Sequence, residues 1–286
     1  MPATINTNMN SLNAQRSLSS SQAALSTSMA RLSSGLRVNS AKDDAAGMAI
    51  AERMSAQVRG MNVAIRNAND GISYAQVSEG ALSKVSDSLQ RMRELAVQSR
   101  NVTNTAKDQG SLQNEFGQLQ AEMSRVLDGT TFNGTTVFTQ TANLDFQVGA
   151  GTSSNDRVSI TVTAALNADA TLTGVTAATG IIGDTSGAAK TAGTAIDLVI
   201  ANIDTALDTV NQQRSTWGAT QNRFDAVVNN LQVSVENQAA ARGRIVDADF
   251  AAETAAMSRA NILQQAGTAM ISQANQQPQQ VLALLR

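Results

Sequence analysis

Apolar residues recur on a heptad register through both halves of this chain, and its only prolines are Pro2 and Pro278. Proline is the strongest helix breaker, so the pattern runs almost unbroken and the chain is bound to long helices. Ala51, Met54, Val58, Met61, Ile65, Ala68, Ile72 and Ala75 step by alternating three and four residues, and only Glu79 interrupts the apolar identity. After a slip the stripe resumes at Val85, Leu89, Met92 and Ala96, which predicts a helix of about 45 residues, roughly 70 Å long. Ser40 and Asp43 have capping-box spacing and place its start nearby. A matching stripe runs through Ile196, Ile200, Ile203, Leu207, Val210, Trp217, Phe224, Val228, Leu231 and Val235, with Arg214 and Gln221 as polar breaks and Thr194 and Asp197 as cap candidates. Helices with such stripes bury them only against other helices, in the same chain or in a neighbour.

Between these helices the pattern changes. Leu112, Phe116, Leu119, Met123 and Val126 predict a shorter amphipathic helix, antiparallel to the first and ended at Asp128-Gly129 by a left-handed residue. Asn133-Gly134 signals a tight turn, and Leu144, Phe146 and Val148, then Val158, Ile160 and Val162, alternate at period two, predicting a small antiparallel β element. Residues 164–193 are rich in Ala, Thr and Gly and poor in large apolar side chains, which predicts an exposed, irregular, variable segment.

Two outer arms complete the chain. One carries Ile5, Met9, Leu12, Leu18, Leu25, Met29, Leu32 and Leu36; the other carries Ala256, Ala260, Leu263, Gly267, Met270 and Ala274, with Leu282, Leu284 and Leu285 at its end. Their stripes are thin, and isolated helices with weak stripes are marginal in water. The arms are expected to fray until neighbours cover them. The whole reads as mainly α, with long antiparallel coiled-coil-like helices and a small antiparallel β element. Its divisions are 1–43 (first arm), 44–163 (central helices and β element), 164–193 (variable segment), 194–240 (returning helix) and 241–286 (second arm).

Composition narrows the function. Zero Cys and zero His remove thiol nucleophiles, disulfides, and the commonest general base and metal ligand. Asp43-Asp44 and Asp247 with Asp249 bring no third converging ligand, so capping and solvation account for them and no cofactor or metal is expected. With 21 basic and 23 acidic residues the formal charge is −2, which offers no footprint for nucleic acid or anionic lipid. No run approaches the ~18 apolar residues of a membrane span. Met1 to Asn10 lacks the basic start and apolar block of a cleaved signal peptide, so the chain reads as soluble when made.

One further property lies in longer strings. SSGLRVNSAKDDAAGMAIAERM at Ser33 to Met54, QRMRELAVQS at Gln90 to Ser99, FNG at Phe132 to Gly134, ARGRIVDADFAAETAAMSRANIL at Ala241 to Leu263 and QANQQPQQVLALLR at Gln273 to Arg286 together resemble the bacterial flagellins. Gly243 stands where that family usually has Ser, and Phe250 where Tyr is common. The resemblance implies a self-assembling, non-enzymatic subunit of an extracellular filament used for swimming, with arms lining the channel and the larger outer domains absent or vestigial. It implies a flagellar export chaperone, a filament cap protein and hook-junction proteins as partners. Arg91, Leu95 and Glu115 match residues contacted by the vertebrate flagellin-sensing Toll-like receptor, and Leu282, Leu284 and Leu285 match leucines read by cytosolic innate receptors. Taken without the resemblance, the first three read as surface or protofilament packing, and the leucines as arm packing alongside Leu18, Leu25, Met29, Leu32, Leu36, Leu263 and Met270. A hook-filament junction protein sharing these termini, and a cytoplasmic coiled-coil scaffold, are the alternatives.

Overall fold

A computed structural model describes residues 7–160, 165–176, 180–187 and 189–283. Helices α1 (Met9–Ser34), α2 (Ala45–Ser99) and α3 (Ala106–Gly129) precede two hairpins, β1 (Thr131–Phe132) with β2 (Thr135–Thr136) and β3 (Leu144–Gln147) with β4 (Arg157–Ile160). A short helix α4 (Ala170–Thr176) then leads to α5 (Gly193–Val246) and α6 (Phe250–Ala283). The mainly helical class with a small antiparallel β element is therefore what the periodicity predicts. The chain divides into two compact units, Met1–Val58 with Glu236–Arg286, and Arg59–Val235. Those divisions fall inside α2 and α5, whereas the periodicity suggests breaks at 43/44 and 240/241.

The α2 helix has 55 residues, about 80 Å at 1.5 Å per residue, longer than its stripe suggests. It starts at Ala45 because Asp44 Oδ1 accepts the Gly47 amide at 2.8 Å. Asp43 instead closes the preceding turn, its Oδ2 accepting the Ser40 amide at 2.9 Å and the Ser40 hydroxyl at 3.0 Å. These bonds, the backbone one from Ser40 first, hold its carboxyl below the usual range. The expected Thr194 and Asp197 cap is also different, since Asp197 faces α2 and its Oδ1 accepts Arg100 Nε at 2.5 Å.

In the Arg59–Val235 unit, α2 and α5 run antiparallel. Arg100 meets Asp197, Arg93 meets Asp204, Tyr74 stacks near Trp217, and Gly71 lies under Phe224. A Cβ at Gly71 would stand 2.7 Å from Phe224 Cζ, so the missing side chain permits this crossing. Leu82, Leu89, Met92, Phe116, Met123, Ile203, Val210 and Phe224 are fully buried. Each such side chain stabilises by roughly 1.5–3 kcal/mol relative to exposure. Tyr74 contacts Phe132 and Phe146 at ring distances of 5.5 and 6.1 Å, which anchors both hairpins on α2. The tip between β1 and β2 has Asn133 at φ 49° and Gly134 at φ 77°, the two positive values that a two-residue type I′ turn requires.

The three polar residues that break the stripes meet one another. Gln221 Nε2 donates to Glu79 Oε2 at 3.3 Å, and Arg214 Nη2 lies 3.8 Å from Glu79 Oε1. A polar set within an apolar seam favours one register over its slipped alternatives.

Helix α3 is rotated from its predicted face by about one position. Gln109, Gln113, Phe116, Met123 and Leu127 are buried, while Leu112, Leu119 and Val126 are partly covered. Its end also differs: Gly129 stays helical and the cap Thr130 is extended at φ −71°, so no left-handed residue stops it. Thr105 and Asp108 form the capping box at its start.

Residues 164–193 depart furthest from expectation. Leu166, Leu172, Val175 and Ile182 are buried in the central core, so the segment is not simply exposed. Gln113 Oε1 accepts the Ile182 and Gly183 amides at 2.7 and 3.3 Å, and Gln109 Oε1 accepts the Thr191 amide at 2.9 Å. Gln120 Nε2 donates to the Val175 and Gly180 carbonyls at 2.5 and 3.2 Å. Few apolar side chains suffice because α3 satisfies the segment's backbone as it is buried.

Candidate functional site

The arms form the first candidate surface. Asn8 caps α1 by accepting the Ser11 amide at 3.1 Å, and Gly35 at φ 71° closes its other end. Asp249 caps α6 through the Ala251 amide at 2.9 Å. Between the caps, α1 and α6 lie antiparallel: Asn8 Nδ2 donates to the Ala274 carbonyl at 2.7 Å, and Arg31 Nη1 reaches Glu253 Oε1 at 2.9 Å. An isolated antiparallel bridge, Leu36 with Asp247, ties the bases of the arms.

What this pair buries is small. Ser11 and Ser28 are the buried residues of α1, and Ala260 and Ala274 those of α6 among the described side chains. Leu18, Leu25, Leu32 and Leu36 are half-buried, whereas Met29, Leu263 and Met270 are 55, 51 and 61% exposed, with Met9 at 59% and Ile262 at 66%. Leu18, Leu263, Gly267 and Met270 line a groove of about 480 Å³ along the pair. Exposed apolar side chains in such number mark an association surface. The side chain of Leu282 and the whole of Leu284 and Leu285 lie outside the described residues.

The second candidate is the Arg91 trio in the central unit. Arg91 donates to Glu115 at 2.9 Å through Nε and to Glu94 at 2.9 Å through Nη1, all three being exposed. Its guanidinium is held above its ordinary range by the Glu94 bond first and the Glu115 bond second. Leu95 does not share that surface. It is 0% exposed and packs in the core, because the inward face of α2 takes in Leu95 along with Met92 and Ala96. Arg91 and Glu115 remain together, and the neighbouring Arg93 and Arg100 clamp Asp204 and Asp197.

Sequence reasoning missed Gln109, Gln113 and Gln120, whose spacing of four and seven puts them on the face of Phe116 and Met123. Polar side chains on an otherwise apolar face were the available signal. Among the described residues no group of three His, Cys, Asp or Glu could hold a metal ion, and no helix is long and apolar enough to cross a membrane.

The bacterial flagellin N-terminal helical region matches residues 5–143, and the bacterial flagellin C-terminal helical region matches residues 200–285. The chain is 44% identical over 283 residues to a flagellin of Halalkalibacterium halodurans and 41% identical over 305 residues to one of Bacillus subtilis, with 99% of each chain covered. It is 39% identical to the flagellar filament 33 kDa core protein of Treponema phagedenis, again across 99% of both. A crystal structure of Bacillus cereus flagellin is 30% identical and aligns with a TM-score of 0.47, covering 62% of this chain and 94% of that one.

Proposed function

This chain belongs to the bacterial flagellin family and is a self-assembling structural subunit of the extracellular flagellar filament, and from that premise we propose that its arms complete their burial against sister copies. The observation that carries the proposal is the exposure of Met9, Met29, Leu263 and Met270 beside half-buried Leu18 and Leu25. A contact in which one surface meets a different surface of the next copy repeats into an open helix unless its rotation closes a ring. Coupling the ordering of the arms to subunit addition keeps free subunits apart, because the ordering cost is offset only where neighbours supply buried area.

No chemistry is assigned to the protein. Without His or Cys, and with Asp43 closing a turn and Asp44 and Asp249 capping helices, the side chains support mechanical transmission of torque rather than catalysis. The subunit is held by an export chaperone and inserted beneath a cap protein on a base of hook-junction proteins. Arg91 and Glu115 supply the exposed, oppositely charged pair that a vertebrate Toll-like receptor would meet on free subunits. Leu282, Leu284 and Leu285 are the leucines that a cytosolic innate receptor would read.

Electron microscopy of purified subunits added to filament fragments tests the assembly reading. Elongation of the fragments into long helical filaments is expected. Subunits that stay dispersed, or that close into rings, would contradict it.

A further inference from the structure

The chain has ten methionines and no cysteine, so its sulfur chemistry rests on thioethers alone. The methionines span a range of exposure, with Met48 at 36% and the half-buried Met54, Met61 and Met257 between its ends. Met92 and Met123 are 0% exposed in the central core, while Met9, Met29 and Met270 on the arms are 59, 55 and 61% exposed. Oxidation follows access, and a sulfoxide replaces a flexible apolar side chain with a polar, chiral one. In the core a sulfoxide would be both slow to form and disruptive to packing. On the arms it would form readily and leave the fold of the free subunit intact, since these side chains are scarcely packed there.

We propose that the thioethers of Met9, Met29 and Met270 are an oxidation-sensitive modification site on the free subunit, and that peroxide-class oxidants acting there block its addition to a filament. The inference rests on the assembly reading above, because it is subunit addition that would seat these side chains in apolar surroundings. In the reaction a sulfur lone pair attacks one peroxide oxygen, the O–O bond breaks, and the departing hydroxide takes the proton of the transferred hydroxyl to leave as water. Sulfur loses two electrons and the peroxide gains them. Met270 lines the groove with Leu18 and Leu263, so its sulfoxide oxygen would stand on an apolar contact surface, where an unpaired polar group is costly to bury.

The test treats full-length free subunits with hydrogen peroxide, locates added oxygen by peptide mass spectrometry, and follows elongation of filament fragments by light scattering. Met9, Met29 and Met270 should gain one oxygen each before Met92 or Met123 does, with loss of elongation in step. Methionine sulfoxide reductase should restore it. A variant carrying Met9→Leu, Met29→Leu and Met270→Leu, swaps that conserve volume and shape, should elongate equally with and without peroxide. Oxidised wild-type subunits that elongate normally would overturn the proposal, as would a leucine variant that loses as much elongation to peroxide as the wild type. Untreated wild-type subunits that fail to elongate at all would instead refute the assembly reading, and the proposal with it.

Discussion

The middle of α2 and the length of α1 are built from the same kind of stripe and reach opposite ends of the burial scale. Leu82, Leu89, Met92 and Leu95 on α2 are 0% exposed, whereas α1 buries only Ser11 and Ser28. The difference lies in what covers each helix. α2 is met by α5, by α3 and by both hairpins through Tyr74, Phe132 and Phe146. Helix α1 has α6, whose facing residues Ala260, Gly267 and Ala274 are small. A heptad stripe thus announces that a helix needs partners, and the number of layers around it decides whether the chain supplies them all.

Truncation should divide the two regions most sharply. Phe224→Ala in the central unit should cost about 3–5 kcal/mol by opening a cavity where nothing can collapse into it. Leu25→Ala on the arm should barely move the unfolding midpoint of free subunits but slow filament elongation severely. Chemical denaturation and seeded growth, measured on both variants, read the two effects; equal destabilisation would erase the contrast.

A smaller loss is expected at the α3 docking of residues 166–192. Gln113→Ala leaves the Ile182 and Gly183 amides buried without their acceptor, a penalty of about 1–3 kcal/mol. Exchange of those two amides should accelerate while that of Leu89 stays slow. Unchanged exchange at Ile182 would mean that the glutamine does not hold the segment.

The mildest effect is set by pH. Hydrogen bonds from Thr105, the side-chain bond first, hold the Asp108 carboxyl below its ordinary range, and Arg100 does the same for Asp197. A folded-state value below the unfolded one gives stability that is present in full above the unfolded carboxylate range and is lost as pH falls through the folded value. Acidification should therefore fray the start of α3 and loosen Arg100 from α5 before the core opens. Asp108→Asn should abolish the first of these changes, as followed by amide exchange at residues 106–109.

Much of this was legible in the sequence because periodicity reports directly on long helices. The 3-4 spacing in α2 and α5, the Asn133-Gly134 turn and the alternation of Leu144 and Phe146 with polar neighbours each encode local geometry that tertiary packing had no reason to override. What periodicity hides is the choice among adjacent faces. Leu95 lies one position from Ala96 and turns inward with it, and α3 turns Gln109 and Gln113 inward where the apolar count favours Leu112 and Leu119. Residues 164–193 mislead for another reason: composition counts apolar side chains, whereas burial there depends on where four of them fall and on glutamines from a different helix. Asp44 takes the cap that the spacing assigns to Asp43, because one residue of offset separates a cap from a turn.

Amide hydrogen exchange on dilute free subunits and on assembled filaments tests the central claim most directly. Slow exchange across residues 82–96 in both states, with fast exchange of residues 9–34 and 250–276 in free subunits and strong protection of the same residues in filaments, is the predicted outcome. Arms protected equally in both states would show that α1 and α6 complete their burial within one chain, and would contradict it.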